Sequence, residues 1–488
     1  MKHGKYLLKI ICFALITILL VGQVNYILMP KYYFDDNWPV TTTYKGFYQM
    51  EENTVDVLFF GSSHGAAAFN PQVLYDMHGI RSYNLSCEQQ TPLTAYYWLQ
   101  EALRFQTPKV VILDTLMLYE YEHTEPLNCE ESRTRKAFDA MKWSGIKWQA
   151  IKDITTHDPD QTMISYLLTN IRYHARWTEL NEQDFTYREL EKHYETKGYA
   201  PSNDKVDFPW FEPFSEGDTT ACAQTVSLMQ TYLERITKLC EEKGIELILT
   251  KAPADGWDCS KHNTVALYAE QNGLDFIDFN ERETYEACDF VFTEDMNDRT
   301  HANIWGAEKM SSYFADLLQE KEKLADHDDV QWSATADYYQ RIKYDSSIQH
   351  IDDILIYLDA IDQDRYTVLT AVRLDTTYFM TDEVKEKFRQ LGLDMNMDQY
   401  DGYYGVVSEG AVTQKRSQES LTYAGSTRDG RLEFNISSAG YNANANCSIK
   451  IGGTEYAKNY NGINIVVYSN ETWRVVDSVC YYGEMTRE

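Results

Sequence analysis

The chain has 488 residues, enough for two or three domains, and 43% of them are hydrophobic, enough for a substantial core. Its formal net charge of -30 excludes nucleic acid as a partner, because nothing along the chain offsets phosphate repulsion. Nine cysteines show neither CxxC pairing nor zinc-finger spacing, and no paired-histidine ligand pattern occurs, so the sequence offers no metal site and implies no cofactor.

The first element is "MKHGKYLLKIICFALITILLVGQVNYILMPKYY". Lys2, Lys5 and Lys9 precede an apolar run from Ile10 to about Met29, roughly long enough to span a bilayer. Small residues suited to a cleavage site are missing after the run, which predicts an uncleaved signal anchor over residues 1–30. The basic end then lies in the cytoplasm and everything after Pro30 outside. Gln23 and Asn25 weaken the span slightly and could face a partner helix in the membrane. Cys12 falls inside the anchor, and among the others Cys447 and Cys480 could pair.

Next comes "VDVLFFGSSHGAAAFNP", Val55 to Pro71. Val57, Leu58, Phe59 and Phe60 form a continuous apolar run, which reads as a buried parallel strand. Gly61 permits a tight turn, and small residues follow where a helix can begin. A serine at such a corner suits a nucleophile, although small polar residues also cap helices for structural reasons alone.

From Val55 to about Leu318 the pattern alternates. The strand-like runs "IRSYNL", "KVVIL", "IELILT" and "LDFIDF" are separated by helix-like "PLTAYYWLQEALRF", an amphipathic stretch from Thr219 to Lys243, and "HNTVALYAEQNG". A last helix runs from Ala302 to about Leu318. The alternation predicts an α/β domain over residues 31–325, a parallel sheet with helices on both faces. Residues 130–214 show no clear strands and read as a helical insertion. A charged stretch from Glu320 to Asp329 opens a linker over 326–345. Residues 346–488 then alternate turn-rich segments with β-prone runs such as "RYTVLTAVRL", "NCSIKIGG", "GINIVVYS" and "WRVVDSVCYY". With the helix "TDEVKEKFRQLG" they predict a second, α+β domain.

A base for the serine is offered far downstream, in "FTEDMNDRTHANIWGAEKMSSYFADLL". Asp298 and His301 are three apart, a spacing that can set a carboxylate against one imidazole nitrogen and leave the other to take a proton. The structural alternative is that Asp298 caps the following helix and His301 is a surface residue.

Taken together, "GSSH" after an early strand and "DRTH" before the last helix resemble the SGNH/GDSL hydrolase superfamily, which uses Gly-Asp-Ser near its start and Asp-x-x-His near its end. The resemblance covers about Val55 to Leu318 apart from the insertion. It implies Ser63 as nucleophile, with Ser62 standing where the family has aspartate, and Asp298 and His301 as its triad partners. His64 is a poor competitor as base, since adjacent side chains on an extended segment diverge. The sequence departs from the family in its later blocks, where "YNLSCEQQTP" and "VVILDTLMLYEY" lack the usual glycine and Gly-x-Asn-Asp. Ser63 N–H remains as one oxyanion donor, and Asn84 or Ser86 is the candidate for another. Asp114 reads equally as a strand-end cap or a site residue, and Asp295 as a group behind the triad or a solvated one.

Within the superfamily, the single anchor with "DVLFFGSSH", "FNPQVLYDMHGIRSYNLS" and "DMNDRTHAN" is similar to membrane-anchored DltD-like and exopolysaccharide-acetylation proteins. That similarity implies an extracytoplasmic O-acyltransferase acting on a bacterial surface or exported polysaccharide, beside a polytopic membrane-bound O-acyltransferase that supplies acyl groups. Two alternatives stand beside it: an O-acetyl esterase with the same triad, and a non-catalytic glycan-binding scaffold. In the tail, "SSAGY", "SIKIGGTEYAKNYNGINIVVY" and "VVDSV" resemble the ILEI-type domain, named after the interleukin-like EMT inducer, over about Tyr366 to Val479. This implies a carbohydrate-binding module, with Asn459, Tyr460 and Asn461 in a polar turn as candidate sugar contacts.

Overall fold

The computed structural model describes residues 2–30, 40–119, 131–158, 161–180, 184–185, 195–206, 220–322, 324, 327–428, 430, 432–483 and 486–487. It divides into two compact units, Met1–Ala336 and Asp337–Glu488.

The first unit begins with the apolar helix Lys2–Leu28, long enough to cross a membrane. Near its end, the Asn25 Oδ1 accepts the Asn170 N–H at 3.0 Å, from the insertion. Five parallel strands follow: β1 (Val57–Phe60), β2 (Ser82–Asn84), β3 (Val110–Asp114), β4 (Glu246–Lys251) and β5 (Asp275–Asp278). They lie in the order β2-β1-β3-β4-β5. Successive side chains leave a strand on opposite faces. Leu58, Phe60, Val111, Leu113, Leu247 and Leu249 accordingly enter one core with Trp98, Leu233 and Ile236. Val57, Phe59, Val110, Ile112 and Ile248 enter the other with Leu74, Met310, Phe314 and Leu318. Two covered faces explain why "VLFF" is apolar throughout rather than alternating.

Local chemistry starts the flanking helices. Asn70 accepts from Gln72 N ahead of Pro71–His78, Thr91 from Thr94 N ahead of Pro92–Ala102, and Asp258 from Ser260 N ahead of Cys259–Asn272. In the amphipathic stretch expected from Thr219, the helix spans Ser227–Lys243. Within the insertion the described residues form helices Glu131–Ala140, Gly145–His157, Met163–Leu167 and Asn170–Tyr173. The stretch expected as a linker contains most of the helix Val330–Ile348.

The second unit carries β6 (Tyr366–Arg373), β7 (Gly402–Ser408), β8 (Ala411–Ser417), β9 (Leu421–Ser426), β10 (Glu433–Ser438), β11 (Cys447–Ile451), β12 (Thr454–Glu455), β13 (Gly462–Ser469), β14 (Arg474–Tyr482) and β15 (Thr486–Arg487). They build two sheets, β15-β14-β13-β6-β7-β8 and β12-β11-β10-β9, whose pairings are antiparallel. Leu369, Ala371 and Val466 meet Phe434, Ile436 and Ile449 between the sheets. On the other face of the larger sheet, Val368, Ile463 and Ile465 meet Tyr357, Leu358, Val384 and Phe388 from helices Ile354–Ile361 and Asp382–Gln390. The Cys447 thiol donates to Ala371 O at 3.9 Å and the Cys480 thiol to Tyr460 O at 3.7 Å.

Candidate active site

Strand order reverses beside β1: the chain moves to β2 on one side and to β3, β4 and β5 on the other. In open parallel sheets the crevice at such a reversal, beyond the carboxyl ends of the strands, is where ligands bind. Ser63 stands at that edge.

Gly61 makes the turn. Its φ of +151° is one that side-chain-bearing residues rarely adopt, and an added Cβ would meet the Asp114 Cβ at 2.7 Å. Its N–H is held by Gln90 Oε1 at 2.9 Å. Ser62 then caps the helix Ser63–Ala68 by accepting from His64 N. Ser62 is buried and engaged as a cap, while Ser63 opens the helix partly exposed.

His301 arrives on a turn closed by an Asn297 N–H to His301 O hydrogen bond of 2.8 Å and a Met296–Ala302 bridge. Its Nε2 lies 2.9 Å from Ser63 Oγ, and its Nδ1 lies 2.8 Å from Asp298 Oδ2. Asp298 Oδ1 accepts the N–H groups of Thr300 at 2.7 Å and His301 at 2.9 Å. Burial pushes the Asp298 carboxyl up, but the hydrogen bonds and charge of His301 and the two backbone donors outweigh it and hold it well below the usual carboxylate range. The following helix is capped instead by Asn303, whose Oδ1 accepts from Trp305 N and Gly306 N, both at 3.1 Å. Ser63, His301 and Asp298 are therefore in hydrogen-bond sequence, although 238 residues separate the first two.

Asn84, Ser86 and Asp114 pack against the turn and helix that carry Ser63 without joining its hydrogen-bond sequence. Asn84 is corrected from an oxyanion donor to a brace: its Nδ2 donates to Gly65 O at 2.9 Å and Phe69 O at 2.8 Å, so both amide hydrogens are spent on the helix that carries Ser63. Ser86 donates its N–H to Asn84 Oδ1, and its buried Oγ lies in the space that the missing Gly65 side chain leaves. Asp114 Oδ1 accepts from Leu116 N and Oδ2 from Ala252 N, tying the ends of β3 and β4 together. Asp295 accepts from Val291 N and Lys309, bracing its own turn. In the second unit, Asn459, Tyr460 and Asn461 are exposed in one turn, and the Tyr460 ring stacks on Tyr482 with centroids 6.2 Å apart.

Sequence reasoning missed Lys251 at this edge and weighed His64 only as a base. Lys251, the last residue of β4, is completely buried, with Nζ 3.2 Å from His64 Nδ1, 2.5 Å from Ala252 O and 4.0 Å from Asp114 Oδ2. An ammonium only donates, so His64 Nδ1 accepts and the hydrogen of the neutral ring resides on Nε2. Burial, then the charges of Lys251 and His301, hold the His64 pKa well below its ordinary value and keep the ring neutral. His64 sits edge-to-face on His301 with centroids 5.0 Å apart. A lysine closing the otherwise apolar run "IELILTK" is the signal that could have found this pair.

No family model matches this chain, and no curated protein matches it.

Proposed function

We propose that this chain is an extracytoplasmic serine acyltransferase of SGNH type, anchored by the helix Lys2–Leu28 with its amino end in the cytoplasm, and that it O-acetylates a surface or exported polysaccharide. The observation that carries the reading is the Ser63–His301–Asp298 hydrogen-bond sequence at the reversal of strand order. His301 Nε2 takes the Ser63 hydroxyl proton as Oγ attacks the carbonyl carbon of the acyl donor. The carbonyl oxygen becomes an oxyanion, the intermediate collapses, and the departing group leaves with the proton from His301. A sugar hydroxyl then gives its proton to the same nitrogen and attacks acyl-Ser63, which regenerates the serine.

Asp298 fixes the His301 tautomer and stabilises the imidazolium that forms in each half. The Ser63 N–H, with no acceptor among the described residues, is one oxyanion donor. His64, whose ring lies edge-to-face on His301 with centroids 5.0 Å apart, would supply its Nε2–H as the second, in place of the amide side chain that the family uses. A single anchor cannot carry acyl groups across a membrane, so the donor is external or comes from a polytopic acyltransferase partner. In the second unit, the Tyr460–Tyr482 stack and the flanking Asn459 and Asn461 fit a sugar face, and they would hold glycan near the enzyme.

The test is acyl partition by the full chain, supplied with p-nitrophenyl acetate with and without candidate oligosaccharides, products being weighed by mass spectrometry. Acetylated sugar that disappears in Ser63→Ala and His301→Ala is the expected result. Free acetate alone, lost in the same variants, makes the protein an esterase. Equal inactivity of wild type and variants, with and without a membrane acyltransferase, makes it a scaffold.

A further inference from the structure

In one stretch of the helical insertion, from Met163 to Thr178, aliphatic side chains are exposed around a buried polar centre. Between Met163 and Thr178 the residues turned inward are Ser165, Tyr166 and Tyr173, which pack on a completely buried arginine, Arg135. Arg135 donates to Ser165 O at 3.0 Å and to Ser165 Oγ at 3.2 Å, and its guanidinium lies 3.7 Å from the Tyr166 ring centroid. Tyr173 Oη donates to Asp139, which pairs with the same arginine. Turned outward are Ile164, Leu167, Leu168 and Ile171, at positions i, i+3, i+4 and i+7 and between 39% and 54% exposed, together with Trp177 at 70% and the polar Arg172 and His174. Water on that side would favour the opposite arrangement.

What lies on that side is indicated by the end of the apolar helix. Asn170 N–H donates to Asn25 Oδ1 at 3.0 Å, and Arg176 donates to Leu28 O at 2.8 Å. Asn25 and Leu28 belong to the last turn of Lys2–Leu28, and a 27-residue helix is about 40 Å long against a hydrocarbon core of about 30 Å. Residues bonded to that turn are at the depth where the helix leaves the bilayer. Aromatic rings such as Trp177 favour that depth, and so do short segments with one apolar face.

We propose that the face formed by Ile164, Leu167, Leu168, Ile171 and Trp177 lies in the headgroup–acyl boundary of the same bilayer that the apolar helix enters. The first unit is thereby seated on the membrane at two places instead of swinging from one. The inference rests on reading Lys2–Leu28 as a membrane anchor and on nothing about the chemistry at Ser63.

The test places a nitroxide at Leu167→Cys in the full chain, with Cys12, Cys129, Cys222, Cys259 and Cys288 changed to alanine. The protein is reconstituted in phosphatidylcholine–phosphatidylglycerol vesicles. Power-saturation EPR then compares collision with oxygen, which concentrates in lipid, and with a nickel chelate, which stays in water. Leu19→Cys in the apolar helix and Glu270→Cys on an exposed helix position are the references, and Ile171→Cys repeats the measurement should the first variant misfold. The oxygen-to-nickel ratio at 167 is expected to exceed that at 270 severalfold and to fall below that at 19, as suits the boundary rather than the bilayer centre. A ratio equal to that at 270 overturns the proposal. Low collision with both reagents also overturns it, because protein, either a second copy or another part of the chain, then covers the face. A water-like ratio at 19 removes the anchor reading and the docking with it, whereas a lipid-like 19 with a water-like 167 removes the docking alone.

Discussion

Replacing Asn84 with alanine separates a brace from a catalytic donor. Asn84 is buried at the end of β2, and three hydrogen bonds pass through its amide: Nδ2 to Gly65 O, Nδ2 to Phe69 O, and Ser86 N to Oδ1. At about 1 kcal/mol each, their loss costs roughly 3 kcal/mol. Gly65 O keeps the Phe69 N–H at 3.2 Å, but Ser86 N is left buried without that acceptor, which adds up to about 1 kcal/mol. For a unit of this size, with an unfolding entropy of about 2.1 cal/mol/K per residue, roughly 3 to 4 kcal/mol lowers Tm by about 5 °C. Calorimetry of Asn84→Ala should show that fall, while acyl turnover of the folded fraction drops less than about tenfold. An oxyanion donor behaves in the opposite way, costing about 10²- to 10³-fold in turnover and little stability. Unchanged Tm with a hundredfold loss of turnover would refute the brace and restore Asn84 to the reaction.

Other variants probe the same edge. Gly61→Ala brings a Cβ to 2.7 Å from Asp114, whose carboxylate is fixed by Leu116 N and Ala252 N, so the turn rather than Asp114 must move. With Ser63 displaced from His301, turnover should fall by about 10²-fold while circular dichroism stays native, and full activity would contradict the role assigned to this turn. His64→Ala should lose about 10²-fold or more and His64→Gln, which keeps an N–H, should regain part of it. A ¹⁵N spectrum should show the hydrogen on His64 Nε2 in wild type and its redistribution in Lys251→Met; an unmoved tautomer would deny Lys251 its positioning role. Asp298, held below its unfolded value, stabilises the fold above about pH 4, and that contribution fades as pH falls toward the folded pKa. Because the side chain is 47% exposed, the effect is at most about 1 kcal/mol. Urea melts should therefore show a wild-type advantage over Asp298→Asn at pH 7 that shrinks at pH 3.

What the sequence disclosed and what it hid differ in range. The central strands β1, β3 and β4 of the first unit were readable because two covered faces demand unbroken apolar runs, and helix starts at Asn70, Thr91 and Asp258 because a cap acts on residues two or three away. In the second unit β8 was not readable: its residues Ala411–Arg416 are all exposed, so no alternation marks them, and the strand is set by pairing with β7. The charged residues before Val330 suggested a linker, yet a helix follows, held at its start by Trp332, a single large side chain buried in the core.

The candidate site follows the same division. Its parts are local devices: the Ser62 cap, the tight turn at Gly61, and an Asp298 carboxylate gathering the N–H groups of Thr300 and His301. Each left a short motif. The expectation for Asn84 failed because its amide is claimed by carbonyls 15 and 19 residues away, and no spacing rule decides which buried group an amide will meet. Lys251 and His64 are 187 residues apart and meet only because β4 ends beside β3, on the edge where Ser63 follows β1. A buried lysine costs several kcal/mol unless its charge is shared. Here that charge is shared by a carbonyl, a carboxylate and an imidazole, and the imidazole of the residue after Ser63 thereby acquires a fixed tautomer. The groups easiest to overlook in the sequence are therefore those that set the protonation of the residue next to Ser63.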